Sequence, residues 1–319
     1  MTISYIFYNF TGFLFCFKCL YDTIQSLKQL KNKDVIIIKK IIFAVILILA
    51  VAILASCIGK TDIPFVTTKP AETAPTEPLT VTVTFPEGLT LVQMAEKLEE
   101  NKVCSASEFI ALTNNYEYIQ TLGYTFTEGI TEPESRAFYL EGYIFPDTYE
   151  FYKGESPERA LKRFLDNTER KLTAEYTQRA EELGYTLDEI ITLASIIQEE
   201  SYTHESVKNV ASVLHNRLSS PNFSRLQCDV TKNYIRTNID NSPYLTGDTS
   251  SFAETYNTYE CFGLPIGPIT NPGLASIEAA LYPAETNYFY FVTDSQWNYY
   301  YAETYAQHKA NCNKVGLKG

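Results

Sequence analysis

The stretch TLDEIITLASIIQEES, residues 186–201, predicts the central element of the fold. Thr186 is followed three residues later by Glu189, which is the sequence pattern of a helix capping box. A helix that is apolar on most of its sides belongs in a core, so the stretch predicts a buried helix that ends in two carboxylates. Its apolar residues are Leu187, Ile190, Ile191, Leu193, Ala194, Ile196 and Ile197.

Glu200 lies at the end of this predicted helix. It follows Ile197 by three residues and Ile196 by four, so it continues the apolar stripe. Burial at that position would raise the pKa of its carboxyl group toward the neutral range that a general acid needs. The alternative is a carboxylate at a solvated, fraying helix end, without a chemical role.

An uncharged segment near the N-terminus predicts a membrane anchor. Residues 41–58, IIFAVILILAVAILASCI, directly follow Lys39 and Lys40, and a run of about 18 apolar residues is near the lower limit for spanning a bilayer. The lysines predict that the preceding side stays in the cytoplasm and that the rest is exported. The end of the segment, LASC, resembles a lipobox, in which case acyl chains on Cys57 would hold the protein to the membrane. Residues 1–58 are therefore predicted to be a cytoplasmic stretch with either a transmembrane helix or a lipoprotein signal peptide.

Residues 59–78 are predicted to be a spacer between the anchor and the folded part. Four prolines and five threonines fall within residues 61–78. Such a composition is stiff and extended and cannot bury a core.

The charge balance argues against nucleic acid as a partner. The 319-residue chain has 26 basic and 38 acidic residues and a net charge of -12. Residues 1–57 contain six lysines and two acidic residues, which leaves 20 basic and 36 acidic residues in the exported part. Nucleic-acid binding needs a concentrated basic face, which this balance does not favour.

Histidines and cysteines of the exported part give no metal-ligand spacing. The three histidines are scattered along it, and its four cysteines are far apart in sequence. Close-spaced ligands, as in zinc sites, are therefore missing from the sequence pattern. We predict no metal and no cofactor.

Residues 79–115 are predicted to form one strand followed by two helices. Val81, Val83 and Phe85 alternate with threonines, which predicts the strand. One helix is predicted after it from the apolar stripe that begins at Leu91, and a second from near Ser105. This unit resembles a LysM-like module, which binds N-acetylglucosamine polymers. The alternative is a structural cap on the larger domain.

Seven blocks of sequence stand out in the exported part. The blocks are LEGYIFPDTYEF (140–151), TLASIIQEES (192–201), VASVLHNRL (210–218), RLQCDVT (225–231), YNTY (256–259), GLPIGPITNPG (263–273) and AALYPAETNYFYFV (279–292). In order and approximate spacing they resemble the endolytic murein transglycosylase family, also described as YceG-like. The resemblance implies an α+β fold in which the anchor is followed by the small LysM-like module and by a larger mixed α/β catalytic domain at residues 116–319.

The resemblance implies that Glu200 is the catalytic residue. The family pattern usually has a Glu at the position of Gln198 and a second one at Glu200, so Glu200 inherits the role and Glu199 is the fallback. The implied reaction is cleavage of the β-1,4 bond between N-acetylmuramic acid (MurNAc) and N-acetylglucosamine (GlcNAc) in nascent glycan strands, leaving 1,6-anhydro-MurNAc ends. Glu200 would act first as acid and then as base, and peptidoglycan synthases would be partners. The alternative is a non-catalytic peptidoglycan-binding scaffold of the cell-wall synthesis machinery.

The other blocks supply candidate substrate contacts. Gln227 and Asp229 are polar groups on a stretch that is expected to be extended, with ordinary turn hydrogen bonding as the alternative. The YNTY block combines aromatic faces with amide and hydroxyl groups that suit an acetamido sugar. Pro265 is expected in a groove wall, and Glu141 in the scaffold. Cys228 stands where the family more usually has Thr and could pair with Cys261. The YNTY candidates are Tyr256, Asn257 and Thr258.

Overall fold

The computed structural model describes residues 79–130, 136–240 and 242–317. The predicted anchor at residues 1–58, the predicted lipidation site at Cys57 and the spacer at residues 59–78 lie outside these residues. Within the described residues, no helix is both long enough and apolar enough to span a bilayer.

Helices and two small antiparallel sheets alternate along the described residues, which agrees with the predicted α+β class. The first half contains β1 (Thr80–Thr84), α1 (Leu91–Glu100), α2 (Ala106–Thr113), α3 (Tyr116–Thr121), a 3₁₀ helix (Thr125–Gly129), β2 (Thr148–Tyr152), α4 (Pro157–Lys171) and α5 (Ala174–Glu182). The second half contains α6 (Leu187–Glu200), α7 (Val207–Ser219), α8 (Asp229–Tyr234), a π-helical turn (Ile235–Ile239), α9 (Ser250–Tyr256), α10 (Leu274–Leu281), β3 (Tyr290–Thr293), β4 (Tyr299–Ala302) and α11 (Tyr305–Lys314).

The strand and two helices predicted for residues 79–115 are present, but their sheet is completed from further along the chain. β1 pairs with β2 in antiparallel register, from Thr80 opposite Tyr152 to Thr84 opposite Thr148. Phe85 and Phe164 meet edge to face at 5.1 Å between ring centroids, so α4 shares the same core. The boundary at residue 115 therefore runs through one continuous hydrophobic core, and glycan binding by this unit stays a prediction.

The central helix α6 forms as its sequence indicates. Thr186 Oγ1 accepts a hydrogen bond from Glu189 N at 3.1 Å, and Glu189 Oε2 accepts one from Thr186 N at 2.8 Å, which confirms the capping box. From residue 190 to residue 197 every side chain is buried, against α7 and α10 in particular. Full burial of each Leu or Ile stabilises the fold by about 1.5–3 kcal/mol relative to exposure.

A buried ion pair attaches the 136–143 segment to the first turn of α6. Arg136 Nη1 donates to both carboxylate oxygens of Asp188, at 3.0 and 3.1 Å, and Tyr143 Oη donates to Asp188 Oδ1 at 2.7 Å. Burial alone would lower the pKa of Arg136, but the Asp188 carboxylate raises it above its ordinary value. A Cβ added at Gly267 would meet this guanidinium, so the loop that follows α9 can pass here only because residue 267 has no side chain.

Candidate active site

Glu200 is the last residue of α6 and is partly buried. Desolvation by burial raises the pKa of its carboxyl group from the ordinary value of 4.5 to about 7. The nearby carboxylates of Asp229 and Glu199 add to this effect, and the Arg217 guanidinium opposes it. Within the described residues no side chain donates a hydrogen bond to this carboxyl group, so at neutral pH it can either give or accept a proton.

Arg217 fixes the wall beside Glu200. Its Nε donates to Phe289 O at 2.7 Å and its Nη1 to Leu226 O at 2.6 Å. The guanidinium carbon lies over the ring of Tyr290, at 5.6 Å from the centroid. Arg217 therefore joins α7 to the segment before α8 and to the start of the β3–β4 hairpin.

Gln227 and Asp229 lie on the surface, on either side of buried Cys228. Gln227 has φ of 58°, a left-handed conformation that is uncommon for residues other than glycine. Gln227 N donates to Thr258 O at 3.0 Å, and Cys228 N donates to Thr258 Oγ1 at 2.9 Å. These hydrogen bonds hold the backbone of Gln227 in a conformation of high energy. Such conformations are frequent at functional sites.

Asp229 provides an ionised carboxylate near Glu200. Its Oδ1 accepts hydrogen bonds from Lys232 Nζ at 2.7 Å and Tyr259 Oη at 3.0 Å. These bonds, that of Lys232 first, lower the pKa of Asp229 below its ordinary value. Two neighbouring carboxyl groups with pKa values displaced in opposite directions are a typical arrangement of acid-base sites.

The prediction that the YNTY block contacts substrate directly is wrong for Tyr256 and Thr258. Both are fully buried, and a side chain without exposed surface cannot touch a sugar. Tyr256 packs against Tyr234 at 5.3 Å between ring centroids, and Thr258 Oγ1 lies 3.0 Å from Thr231 Oγ1. Asn257 is partly buried, and its Oδ1 accepts a hydrogen bond from Tyr259 N at 3.1 Å. The block therefore supports the loop that carries Gln227 and Asp229.

Pro265 lies in a groove wall, as predicted, but not beside Glu200. It is buried at the edge of a groove of about 530 Å³ that also contains Tyr185, Asp188 and Thr192. Asp188 and Thr192 belong to the N-terminal half of α6, and Asp188 is about 18 Å from Glu200 along a helix axis with a rise of 1.5 Å per residue. The structure therefore places Pro265 in a groove at the opposite end of α6 from Glu200.

Glu199 lines a cavity that Glu200 does not line. This cavity, of about 370 Å³, lies between α1, α6 and α8, with Thr90, Gln93 and Glu96 on one side and Asn233 on another. Burial raises the pKa of Glu199 above its ordinary value. Arg217 and Asp229, which tune Glu200, do not line this cavity.

Gln198 has a structural role that sequence reasoning missed. Its Oε1 accepts hydrogen bonds from Gly273 N at 3.0 Å and from Ser276 Oγ at 2.9 Å, at the N-terminal end of α10. An amide oxygen, which accepts but does not donate, suffices for both bonds.

Glu141 has the scaffold role that was predicted for it. The carboxylate is fully buried and accepts hydrogen bonds from Leu91 N at 2.8 Å, Asn271 Nδ2 at 3.1 Å and Tyr234 Oη at 3.2 Å. Burial raises the pKa of Glu141 to about 8, although the bonds from Leu91 and Tyr234 act in the opposite direction. This carboxyl group ties α1 to α8 and to the loop before α10.

Cys228 and Cys261 do not form a disulfide in the structure. Cys228 is buried, and burial raises the pKa of its thiol well above the ordinary value. Within residues 79–130, 136–240 and 242–317, no group of three or more His, Cys, Asp and Glu side chains is arranged to hold a metal ion.

Tyr299 is the second residue near Glu200 that sequence reasoning missed. Its hydroxyl donates to the backbone oxygen of Glu200 at 2.7 Å and accepts a hydrogen bond from Tyr202 N at 2.9 Å. The one feature of the sequence that could have indicated this contact is the high number of tyrosines in residues 288–301. The local sequence does not show which of these tyrosines contacts α6, which lies 99 positions earlier in the chain.

Comparisons with known proteins show which family the chain matches. The model of the YceG-like family matches residues 67–314. The chain is 30% identical over 250 residues to the endolytic murein transglycosylase of Streptococcus pneumoniae serotype 2 (strain D39), covering 74% of this chain and 45% of that protein. It is 31% identical over 231 residues to the endolytic murein transglycosylase of Bacillus subtilis (strain 168), covering 71% of this chain and 62% of that protein. The chain thus spans about half the length of the relatives that it matches.

A solved structure has a similar fold. The 2.6 Å crystal structure of a protein from Listeria monocytogenes, described as YceG-like, aligns with a TM-score of 0.59 and 28% sequence identity. The alignment covers 72% of this chain and 74% of the listerial one.

Proposed function

The chain belongs to the YceG-like family, and from that premise we propose that it is a lytic transglycosylase that cuts peptidoglycan glycan strands with Glu200 as catalytic acid and base. The observation that carries the proposal is the position of Glu200 at the partly buried end of α6, near Asp229 and Arg217, where burial raises the pKa of its carboxyl group to about 7. A group with such a pKa is available at neutral pH both as proton donor and as proton acceptor. The names of the streptococcal and bacillar relatives support the choice of substrate.

In the proposed first step, protonated Glu200 gives its proton to the oxygen between MurNAc C1 and GlcNAc C4. The bond from C1 to that oxygen breaks, GlcNAc leaves with a free 4-hydroxyl, and C1 acquires oxocarbenium character. Ionised Asp229 lies close enough to raise the pKa of Glu200, and the same negative charge favours a cationic centre nearby.

In the proposed second step, the Glu200 carboxylate takes the proton of the MurNAc C6 hydroxyl. The C6 oxygen of MurNAc then bonds to C1 and closes the 1,6-anhydro ring. Glu200 is left protonated for the next cycle. No water enters the products, so one carboxyl group serves both steps.

Product analysis tests the reaction. The full chain is incubated with purified glycan strands, and the new ends are identified by mass spectrometry. We expect 1,6-anhydro-MurNAc ends from the wild type and none from Glu200→Gln. Glu199→Gln is the matched control, because burial also raises the pKa of the neighbouring Glu199 carboxyl group, which lines a cavity that Glu200 does not line.

Each other outcome identifies a different error. Reducing ends would mean hydrolysis, loss of cleavage in Glu199→Gln alone would move the catalytic role to that residue, and binding without cleavage would indicate a non-catalytic peptidoglycan scaffold.

The proposal also includes the location and partners of the enzyme. The uncharged segment at residues 41–58 would anchor it in the cell membrane, with lipid on Cys57 or as a retained helix, and the catalytic part would face the wall. Action on nascent strands would place it beside peptidoglycan synthases, and co-purification with a synthase before and after crosslinking measures this association.

A further inference from the structure

Two aromatic rings lie exposed beside the end of α6 that carries Glu200. The rings of Tyr202 and Trp297 contact each other at 3.8 Å between centroids, with 32° between their planes. Tyr202 is 57% exposed and Trp297 50% exposed. About half of the surface of each residue therefore stays accessible to solvent although the two rings are in contact.

The turn that presents Trp297 is held by Asp294. One carboxylate oxygen accepts hydrogen bonds from Gln296 N at 2.9 Å and Asn298 N at 3.0 Å, and the other from Asn298 Nδ2 at 2.9 Å and Tyr300 Oη at 3.1 Å. These bonds, those of Asn298 first, lower the pKa of Asp294 to about 2, so the turn keeps its anchor at any physiological pH.

Trp297 has a backbone conformation that bulky residues rarely adopt. Its φ is 63°, and its amide donates to Asp294 O at 3.1 Å. Such conformations persist where the surrounding structure imposes them, and they concentrate at ligand-binding positions. A simple hairpin would place Asn or Gly here, whereas this turn places the indole against Tyr202.

Tyr299 couples this aromatic pair to the catalytic end of α6. Its hydroxyl bridges Glu200 O and Tyr202 N, at 2.7 and 2.9 Å. Tyr202 is only two residues from Glu200, so their Cα atoms are at most about 7 Å apart. The aromatic pair therefore lies within reach of a sugar that neighbours the bond cleaved at Glu200.

We propose that Tyr202 and Trp297 form a stacking subsite for one sugar ring of the glycan strand. The inference rests on the function proposed above and adds a substrate-binding element to it. A pyranose ring has an apolar face of C–H groups and a polar edge, which matches a flat aromatic surface surrounded by water. The carboxylates of Glu200, Glu199 and Asp229 nearby favour an uncharged ring over an anionic ligand.

Fluorescence tests the subsite directly, because Trp297 is the single tryptophan of the 319-residue chain. The full-length Glu200→Gln variant in detergent is titrated with peptide-free glycan strands, which it should bind without cleaving. We expect a saturable change in emission and a reduced quenching by acrylamide. An unchanged emission with bound strands, measured by co-sedimentation, would overturn the subsite.

Kinetics give a second, independent test. Trp297→Ala should raise KM for glycan strands roughly three- to tenfold, the range expected for loss of one aromatic stacking contact, with little change in kcat because the ring does not touch the reacting atoms. Trp297→Phe should restore most of the loss. Tyr116→Ala is the matched control, since Tyr116 is 38% exposed at the start of α3, outside residues 79–115 and outside the site described around Glu200.

Failure of the subsite and failure of the function give different results. If the wild type does not cut strands, the proposed function is wrong; if it cuts them with KM unaffected by Trp297→Ala, the subsite alone is wrong. Tyr202→Ala keeps the fluorescent reporter and the turn anchored by Asp294, so it replaces Trp297→Ala if that variant misfolds. If apolar peptides, but not glycan strands, gave a saturable change in Trp297 emission, the aromatic pair would be a protein-docking surface and the proposal would be overturned.

Discussion

Removal of the Glu200 charge is expected to stabilise the protein while abolishing the proposed activity. Burial raises the pKa of this carboxyl from 4.5 to about 7. A folded state that carries the ionised group therefore loses about 3 kcal/mol relative to the unfolded chain, in which water solvates the charge. Glu200→Gln keeps the size and polarity of the side chain, so it should recover up to about 3 kcal/mol of stability above pH 7.

The sign of this effect depends on pH. Below pH 4.5, the ordinary pKa, Glu200 is protonated in both the folded and the unfolded state and contributes no difference. Between pH 4.5 and about 7 the folded state holds the proton while the unfolded chain releases it, so the wild type loses stability as the pH rises. The full difference between wild type and Glu200→Gln is present only above that interval.

Urea unfolding at about pH 4 and about pH 8, on either side of this interval, measures the difference. The gap in unfolding free energy between Glu200→Gln and the wild type should widen by up to about 3 kcal/mol from the lower pH to the higher. Glu205→Gln, at an exposed position just beyond α6, is the control for removal of a solvent-exposed carboxyl group. A gap that stays constant, or a variant that is less stable at the higher pH, would refute the burial argument for Glu200.

Three further predictions concern the pH dependence of cleavage, the packing at Gly267 and lipid attachment at Cys57. The proposed cleavage should fall about tenfold in kcat/KM per pH unit above 7. Asp229→Asn should move this decline to lower pH, because it removes a charge that raises the pKa of the Glu200 carboxyl group, and an unmoved pH profile would exclude that coupling. Gly267→Ala should lower the unfolding free energy, measured by urea titration, by roughly 1–3 kcal/mol, since the added methyl group meets Arg136. Gly129→Ala is the control and should change the unfolding free energy little, because a methyl group at Gly129 would meet open space. Cys57→Ser should abolish labelling by a fatty-acid analogue, and retained labelling would mean that the lipobox interpretation is wrong.

Local sequence patterns predicted the elements that form from neighbouring residues. The capping box at Thr186 and the apolar stripe up to Ile197 predicted α6, because both patterns involve residues three and four positions apart. The same stripe predicted partial burial of Glu200, and the structure shows it.

Long-range contacts could not be predicted in the same way. Tyr299 meets Glu200 across 99 positions, and Asn271 meets Glu141 across 130. No periodicity encodes such pairings, because they depend on how separate elements pack. Burial of Tyr256 and Thr258 was missed for the same reason, since a polar or aromatic residue in a loop can face either the solvent or the neighbouring segment.

The position of Glu200 at the C-terminal end of α6 explains how one carboxyl group can suit both proposed steps. A helix C-terminus carries partial negative charge from its unpaired carbonyls, so it disfavours an ionised carboxylate, as burial and Asp229 also do. Tyr299 donates to the Glu200 carbonyl, which satisfies one of these unpaired groups without placing a donor on the carboxyl itself. The backbone of the last turn is therefore fixed while the side chain stays free to exchange a proton, and the phenol that fixes it also sets the position of Tyr202 beside Trp297. Proton transfer and the proposed sugar stacking would thus depend on the same tyrosine hydroxyl.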